Sequence, residues 1–114
     1  MSFEAVGKLR DIPAGGALAV QVADIPVALV RAADGNVYAI KDVCSHADVA
    51  LSEGEVDGCT LECWLHGSRF DLRTGMPSGP PATVAVPIYP VQVEGDGDDA
   101  VVRVDVLNPL QGAS

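Results

Sequence analysis

Cys44-Ser45-His46 and, sixteen residues further on, Cys63-Trp64-Leu65-His66 hold both histidines of the chain and two of its three cysteines. Each short stretch offers one thiolate and one imidazole from a single tight loop, because a gap of one or two residues keeps the two side chains close together. Two such loops facing each other can place two thiolates on one iron and two imidazoles on its neighbour. A single zinc ion would accept the same four ligands tetrahedrally, although the one-residue gap between Cys44 and His46 is odd for a zinc finger. Either way, the sequence predicts a metal centre held by Cys44, His46, Cys63 and His66.

The residues around these loops read as short strands. Apolar runs are broken every few residues by Gly, Pro and Asp, which is the texture of an all-β chain. The pattern predicts strands over Phe3–Val6, Ala17–Val22, Val27–Arg31, Val37–Lys41, Cys59–Glu62, Arg69–Asp71, Pro90–Glu94 and Val101–Val106. Ala33-Asp34-Gly35-Asn36 and Asp57-Gly58 carry hairpin-turn chemistry, and residues 95–99 join the last two strands. No stretch keeps a helical period over ten residues, and residues 48–55 have room for one short turn. Both ligand pairs therefore sit on loops between strands.

A chain of 114 residues with 48% apolar content suits one domain with a real core. Its formal charge of −9, from 16 acidic and 7 basic side chains, argues against nucleic acid or an anionic membrane surface as partner and favours a protein with a basic patch. The N-terminal residues lack the apolar segment of a signal peptide. The longest apolar run, Ile25–Val30, is far short of the ~20 residues that a membrane span needs. An odd number of cysteines leaves at least one outside any internal disulfide. Together these features predict a soluble protein of the reducing cytoplasm, where clustered cysteines more often bind metal.

The flank of the second pair, Gly67-Ser68-Arg69-Phe70-Asp71, makes the pattern more specific. With it the chain resembles, over nearly its whole length, the small soluble Rieske ferredoxins that serve bacterial aromatic-ring-hydroxylating dioxygenases. The resemblance implies an all-β Rieske fold: an antiparallel β-sandwich of six to eight strands with a smaller cluster-binding lobe at about residues 42–82. The whole would be a single domain, 1–107, followed by a loose tail, 108–114. It implies one [2Fe–2S] cluster, with Cys44 and Cys63 on the inner iron, His46 and His66 on the outer one, and a covering loop at Ser78-Gly79-Pro80-Pro81. The implied role is electron transport, one electron at a time, from a reductase to a terminal oxygenase. The protein would be a monomer that docks transiently, with no bond chemistry of its own. Two other roles share the domain type: an accessory or redox-sensing protein of iron–sulfur assembly, and the small subunit of a larger reductase such as nitrite reductase. Four intact ligands argue against the last.

Departures from the respiratory Rieske pattern bear on the reduction potential. Val49 and Leu65 stand where those proteins carry a loop disulfide. Ser68 matches a serine that donates to a cluster sulfur, whereas Phe70 stands where a tyrosine would donate a second hydrogen bond. Each lost donor lowers the potential, which is expected between roughly −200 and 0 mV. Cys59 is expected to be a buried small residue and not a ligand, since four residues of strand would put it about 13 Å from Cys63. Trp64 is expected to pack beside its loop, and Gly67 to mark either a tight turn or a close approach. Asp48, Glu53, Glu55, Asp57 and Glu62 form an acidic region between the loops, read as a solvated surface.

Overall fold

The computed structural model describes residues 3–43, 49–64, 67–78, 85–107 and 109–110. Among these, ten strands form three antiparallel sheets: β1 Glu4–Lys8, β2 Ala17–Val22, β3 Ile25–Arg31, β4 Val37–Lys41, β5 Glu55–Asp57, β6 Thr60–Glu62, β7 Arg69–Asp71, β8 Ile88–Tyr89, β9 Val91–Glu94 and β10 Val101–Val104. The sheet orders are β1-β10-β9, β2-β3-β4-β8 and β5-β6-β7.

The run Ile25–Val30 is apolar at consecutive positions because β3 is covered on both faces. Val27 and Leu29 enter a core with Ile12, Val22, Ala39, Tyr89, Val102 and Val104, on the side of the β1-β10-β9 sheet. Ala28 and Val30 point the other way, into a core with Ile40, Leu51, Leu61, Phe70, Leu72, Val86 and Ile88. Side chains alternate across a strand, so a strand covered on both faces is apolar at consecutive positions. β4 and β8 repeat the division, with Ala39 and Tyr89 on one side and Ile40 and Ile88 on the other. The four-stranded sheet and the β1-β10-β9 sheet make the sandwich, and β5-β6-β7 is the smaller lobe on the opposite face.

Several strand limits differ from the sequence reading. β1 runs two residues beyond Val6, β3 begins at Ile25 through a two-residue turn, and β10 stops at Val104, where the backbone leaves the ladder. Asp105 is buried there and accepts the amide of Leu107 at 3.0 Å. The turn before β3 holds Ala23 and Asp24 at φ 51° and 66°, the left-handed pair that matches strand twist. β5 and β8 were missed because one has a single apolar residue among acids and the other is two residues long. The expected short turn of residues 48–55 is a 3-10 turn at Leu51–Glu53.

Candidate metal centre

Of the five predicted site residues, Cys44, His46 and His66 lie outside the described residues, as do Asp48, Leu65 and the Gly79-Pro80-Pro81 part of the covering loop. Cys63 and Ser68 are placed, and both are buried. They occupy the connection between β6 and β7. The Cys63 amide donates to the Ser68 carbonyl at 2.7 Å, and the Gly67 amide donates back to the Cys63 carbonyl at 2.9 Å. These two bonds close the loop at its neck. Gly67 sits at φ 78°, a left-handed conformation that is costly for other residues, so of its two predicted roles the tight turn is the one found.

A second neck leads to the proline-containing segment. The Ser78 amide donates to Arg69 at 2.7 Å and the Val86 amide to Gly75 at 2.9 Å, while Pro77 bridges to Phe70. Residues 75 and 86 are thus held together at the end of β7, where the Gly75 amide donates to Asp71, and residue 78 is held at its start.

Cys63 allows a test of whether the chain suits an iron–sulfur cluster. Its thiol is free and its exposure is 0%. It stands at the end of β6, against the Leu61–Phe70–Leu72 core. A soft sulfur donor at the end of a strand, screened from water and mounted on a hydrogen-bonded loop, suits a thiolate-ligated cluster that must be shielded from solvent.

Two sequence readings are corrected. Trp64 is only half covered: it is 51% exposed and borders a cleft with Glu53, Gly54, Glu55 and Glu62. It follows buried Cys63 and is not part of the lobe's core. Cys59 is half-buried and not fully so. It belongs to the turn before β6, packs against the edge of the core, and its thiol lies 3.5 Å from an Asp34 carboxylate oxygen. The described part of the acidic region is the solvated surface expected, with Glu53, Glu55 and Asp57 exposed and Arg69 pairing at the surface with Asp57 at 3.2 Å and Glu62 at 3.8 Å. Phe70, by contrast, is 0% exposed in the centre of the lobe core.

Sequence reasoning did not find the hydrogen-bonded centre around Asp34. This carboxylate accepts the Asn36 amide at 2.9 Å, the Tyr38 hydroxyl at 2.7 Å and the Cys59 thiol. These bonds, from Tyr38 foremost and then from Asn36, hold its carboxyl down at about 2, and the same bond raises the Tyr38 phenol. The Asp-Gly-Asn turn was visible in sequence, but the partners four and twenty-five residues away were not.

Comparison with known proteins agrees with this arrangement. Residues 2–90 match the Rieske [2Fe-2S] domain, and the chain belongs to that family. The 3-phenylpropionate/cinnamic acid dioxygenase ferredoxin subunit of Escherichia coli K12 is 43% identical over 88 residues, covering 76% of this chain and 81% of the relative. The ferredoxin of carbazole 1,9a-dioxygenase from Nocardioides aromaticivorans IC177 superposes with a TM-score of 0.78 at 36% identity, over 90% of this chain and 97% of that one. A chain from the complex of reduced oxygenase and oxidized ferredoxin in carbazole 1,9a-dioxygenase matches with a TM-score of 0.75 at 33% identity, over 90% and 92%. The chain is accordingly an electron carrier of ferredoxin type with one Rieske-type [2Fe–2S] cluster, and not itself a catalyst. Among the described residues no helix is long and apolar enough to cross a membrane.

Proposed function

We propose that the chain takes single electrons from a reductase and delivers them to the terminal oxygenase of an aromatic-ring dioxygenase. It would work as a monomer in the cytoplasm, with Cys44, His46, Cys63 and His66 holding its cluster. The observation that carries the ligand assignment is Cys63: a free, fully buried thiol on a loop closed by two backbone hydrogen bonds. Support for the partners comes from the relatives, one the ferredoxin subunit of a dioxygenase and another a ferredoxin in complex with its oxygenase.

When bound, the cluster supplies reversible uptake of one electron. The chain's own residues do the rest. The thiolates of Cys44 and Cys63 would hold one iron and the imidazoles of His46 and His66 the other. Leu61, Phe70 and Leu72 keep water from the Cys63 side, which limits the solvent reorganisation that accompanies a change of charge. Residues 1–107 serve as one domain, with the cluster lobe at about 42–82. The −9 charge steers the protein toward basic docking faces.

The test is direct. Purified protein should be red-brown, with about two irons and two acid-labile sulfides per chain, as this cluster type requires. It should pass electrons from a dioxygenase reductase to the matching oxygenase. A colourless protein with one zinc and no sulfide would overturn the ligand assignment, and a loaded protein that no oxygenase can oxidise would overturn the partner assignment.

A further inference from the structure

Asp42 is the first residue after β4, two positions before Cys44, and its side chain is buried. Its two carboxylate oxygens accept the backbone amide and the hydroxyl of Ser52, each at 2.6 Å. Its own amide donates to Pro26 at 2.9 Å, which ties it to the middle sheet. The chain that leaves the sheet at residue 42 is therefore brought back to the same point at residue 52, and the stretch bearing Cys44 and His46 lies between.

Ser52 belongs to the 3-10 turn that ends at Gly54. Gly54 has φ −85° and ψ −166°, a conformation open to any residue, so no backbone strain explains a glycine here. Space does. A methyl group at this position would overlap the carbonyl oxygen of Glu62 and stand 2.9 Å from its carbonyl carbon. Glu62 is the last residue of β6, and Cys63 follows it. A continuous set of contacts thus runs from Asp42 through Ser52 and Gly54 to Glu62, joining the stem of one ligand stretch to the stem of the other.

We infer that Asp42, Ser52 and Gly54 are positioning residues that set the separation of the Cys44/His46 stretch from the Cys63/His66 loop. The inference rests on the four-ligand reading above. A two-iron cluster has fixed metal and sulfide spacings, and its ligands must arrive from both stretches at the right distance. Backbone packed against backbone at Gly54, and a two-point clamp at Ser52, supply a rigid gauge that side-chain packing alone does not.

The experiment compares Asp42→Ala, Ser52→Ala, Ser52→Thr and Gly54→Ala with wild type and with Cys44→Ala. Iron and sulfide content, the EPR g-values of the reduced protein and the half-life of the visible chromophore in air are measured. Gly35→Ala, in a turn where φ is 84°, serves as a variant that loses stability through strain without touching the bracket. Asp42→Ala is expected to shift the g-values and to shorten the cluster half-life by roughly tenfold, as loss of a hydrogen bond to a charged group predicts, and Gly54→Ala to shift both in the same direction by forcing Glu62 away from its backbone. Ser52→Ala, which keeps the amide half of the clamp and disturbs folding least, should shift them less. Ser52→Thr should restore the wild-type spectrum, and Gly35→Ala should keep it. Wild-type g-values and half-life in Asp42→Ala, Ser52→Ala and Gly54→Ala, beside a cluster lost in Cys44→Ala, would overturn the bracket alone. A wild-type cluster in Cys44→Ala would instead overturn the ligand reading, and the bracket with it.

Discussion

The Tyr38 hydroxyl donates a 2.7 Å hydrogen bond to the Asp34 carboxylate across the β3–β4 turn, and the same carboxylate receives the Cys59 thiol from the turn between β5 and β6. One side chain therefore links a hairpin of the middle sheet to the small lobe.

This link has a pH signature. The Asp34 carboxyl is held at about 2, first by Tyr38 and then by the Asn36 amide, below the ordinary value of about 3.9 for an unfolded chain. A depressed carboxyl contributes stability that is fully present above the unfolded value and is lost as pH falls through the folded one. The stability difference between wild type and Asp34→Asn should be constant above about pH 5 and shrink between about pH 4 and 2. Denaturant unfolding of both proteins at several pH values checks this, and acid loss of the cluster, common to both, cancels in the difference. A difference that grows on acidification would contradict the hydrogen-bonded geometry.

The two placed cysteines should behave differently. Cys63→Ala removes a buried thiol from a closed loop and should leave no native cluster, with iron and sulfide near zero. Cys59→Ala removes a half-buried thiol at the lobe's edge. It should keep the full cluster and lose no more than about 1 kcal/mol of stability, the ordinary worth of a single hydrogen bond. Metal analysis and thermal unfolding of the two variants distinguish them.

Phe70 links the potential to the core. Phe70→Tyr should raise the reduction potential, measured by protein-film voltammetry, if the added hydroxyl donates to a cluster sulfur. Since Phe70 has no exposure at all, the added oxygen must enter a packed core. The same variant should lose about 1–3 kcal/mol of stability. A wild-type potential between roughly −200 and 0 mV is expected, and a value well above about +150 mV, high in the Rieske range, would show that backbone amides supply the missing donors.

Docking should be sensitive to salt and to Trp64. The Debye length falls from about 10 Å at 0.1 M salt to about 3 Å at 1 M, so electron delivery to a basic partner should slow as salt rises. Trp64 is the chain's single tryptophan, exposed beside Glu53 and Glu55. Its fluorescence should therefore become less accessible to acrylamide when an oxygenase partner is added. Transfer that ignores salt while Trp64 still becomes protected would indicate an apolar docking face in place of a charged one.

Much of this protein can be read directly from its residues. The two Cys/His pairs declare a metal centre because both histidines and two cysteines fall at ligand spacing. The apolar residues of Val27–Arg31 mark a strand, although that it is covered on both faces became visible only in the structure. The Asp34-Gly35-Asn36 turn is likewise a local matter of backbone chemistry. The tertiary structure decided what depends on partners far along the chain. Trp64 and Phe70 are both aromatic residues near the same loop, yet one faces solvent and the other fills the lobe. That difference is set by how β6 and β7 pair, which neither residue encodes. Asp42 and Ser52 look like ordinary surface residues until the chain closes and brings them together. Gly54 looks like a turn glycine until Glu62 of β6 arrives against its backbone. Local pattern specifies which elements form and which chemistry they carry, whereas contacts made only when distant strands meet determine which side chains are buried and which face solvent.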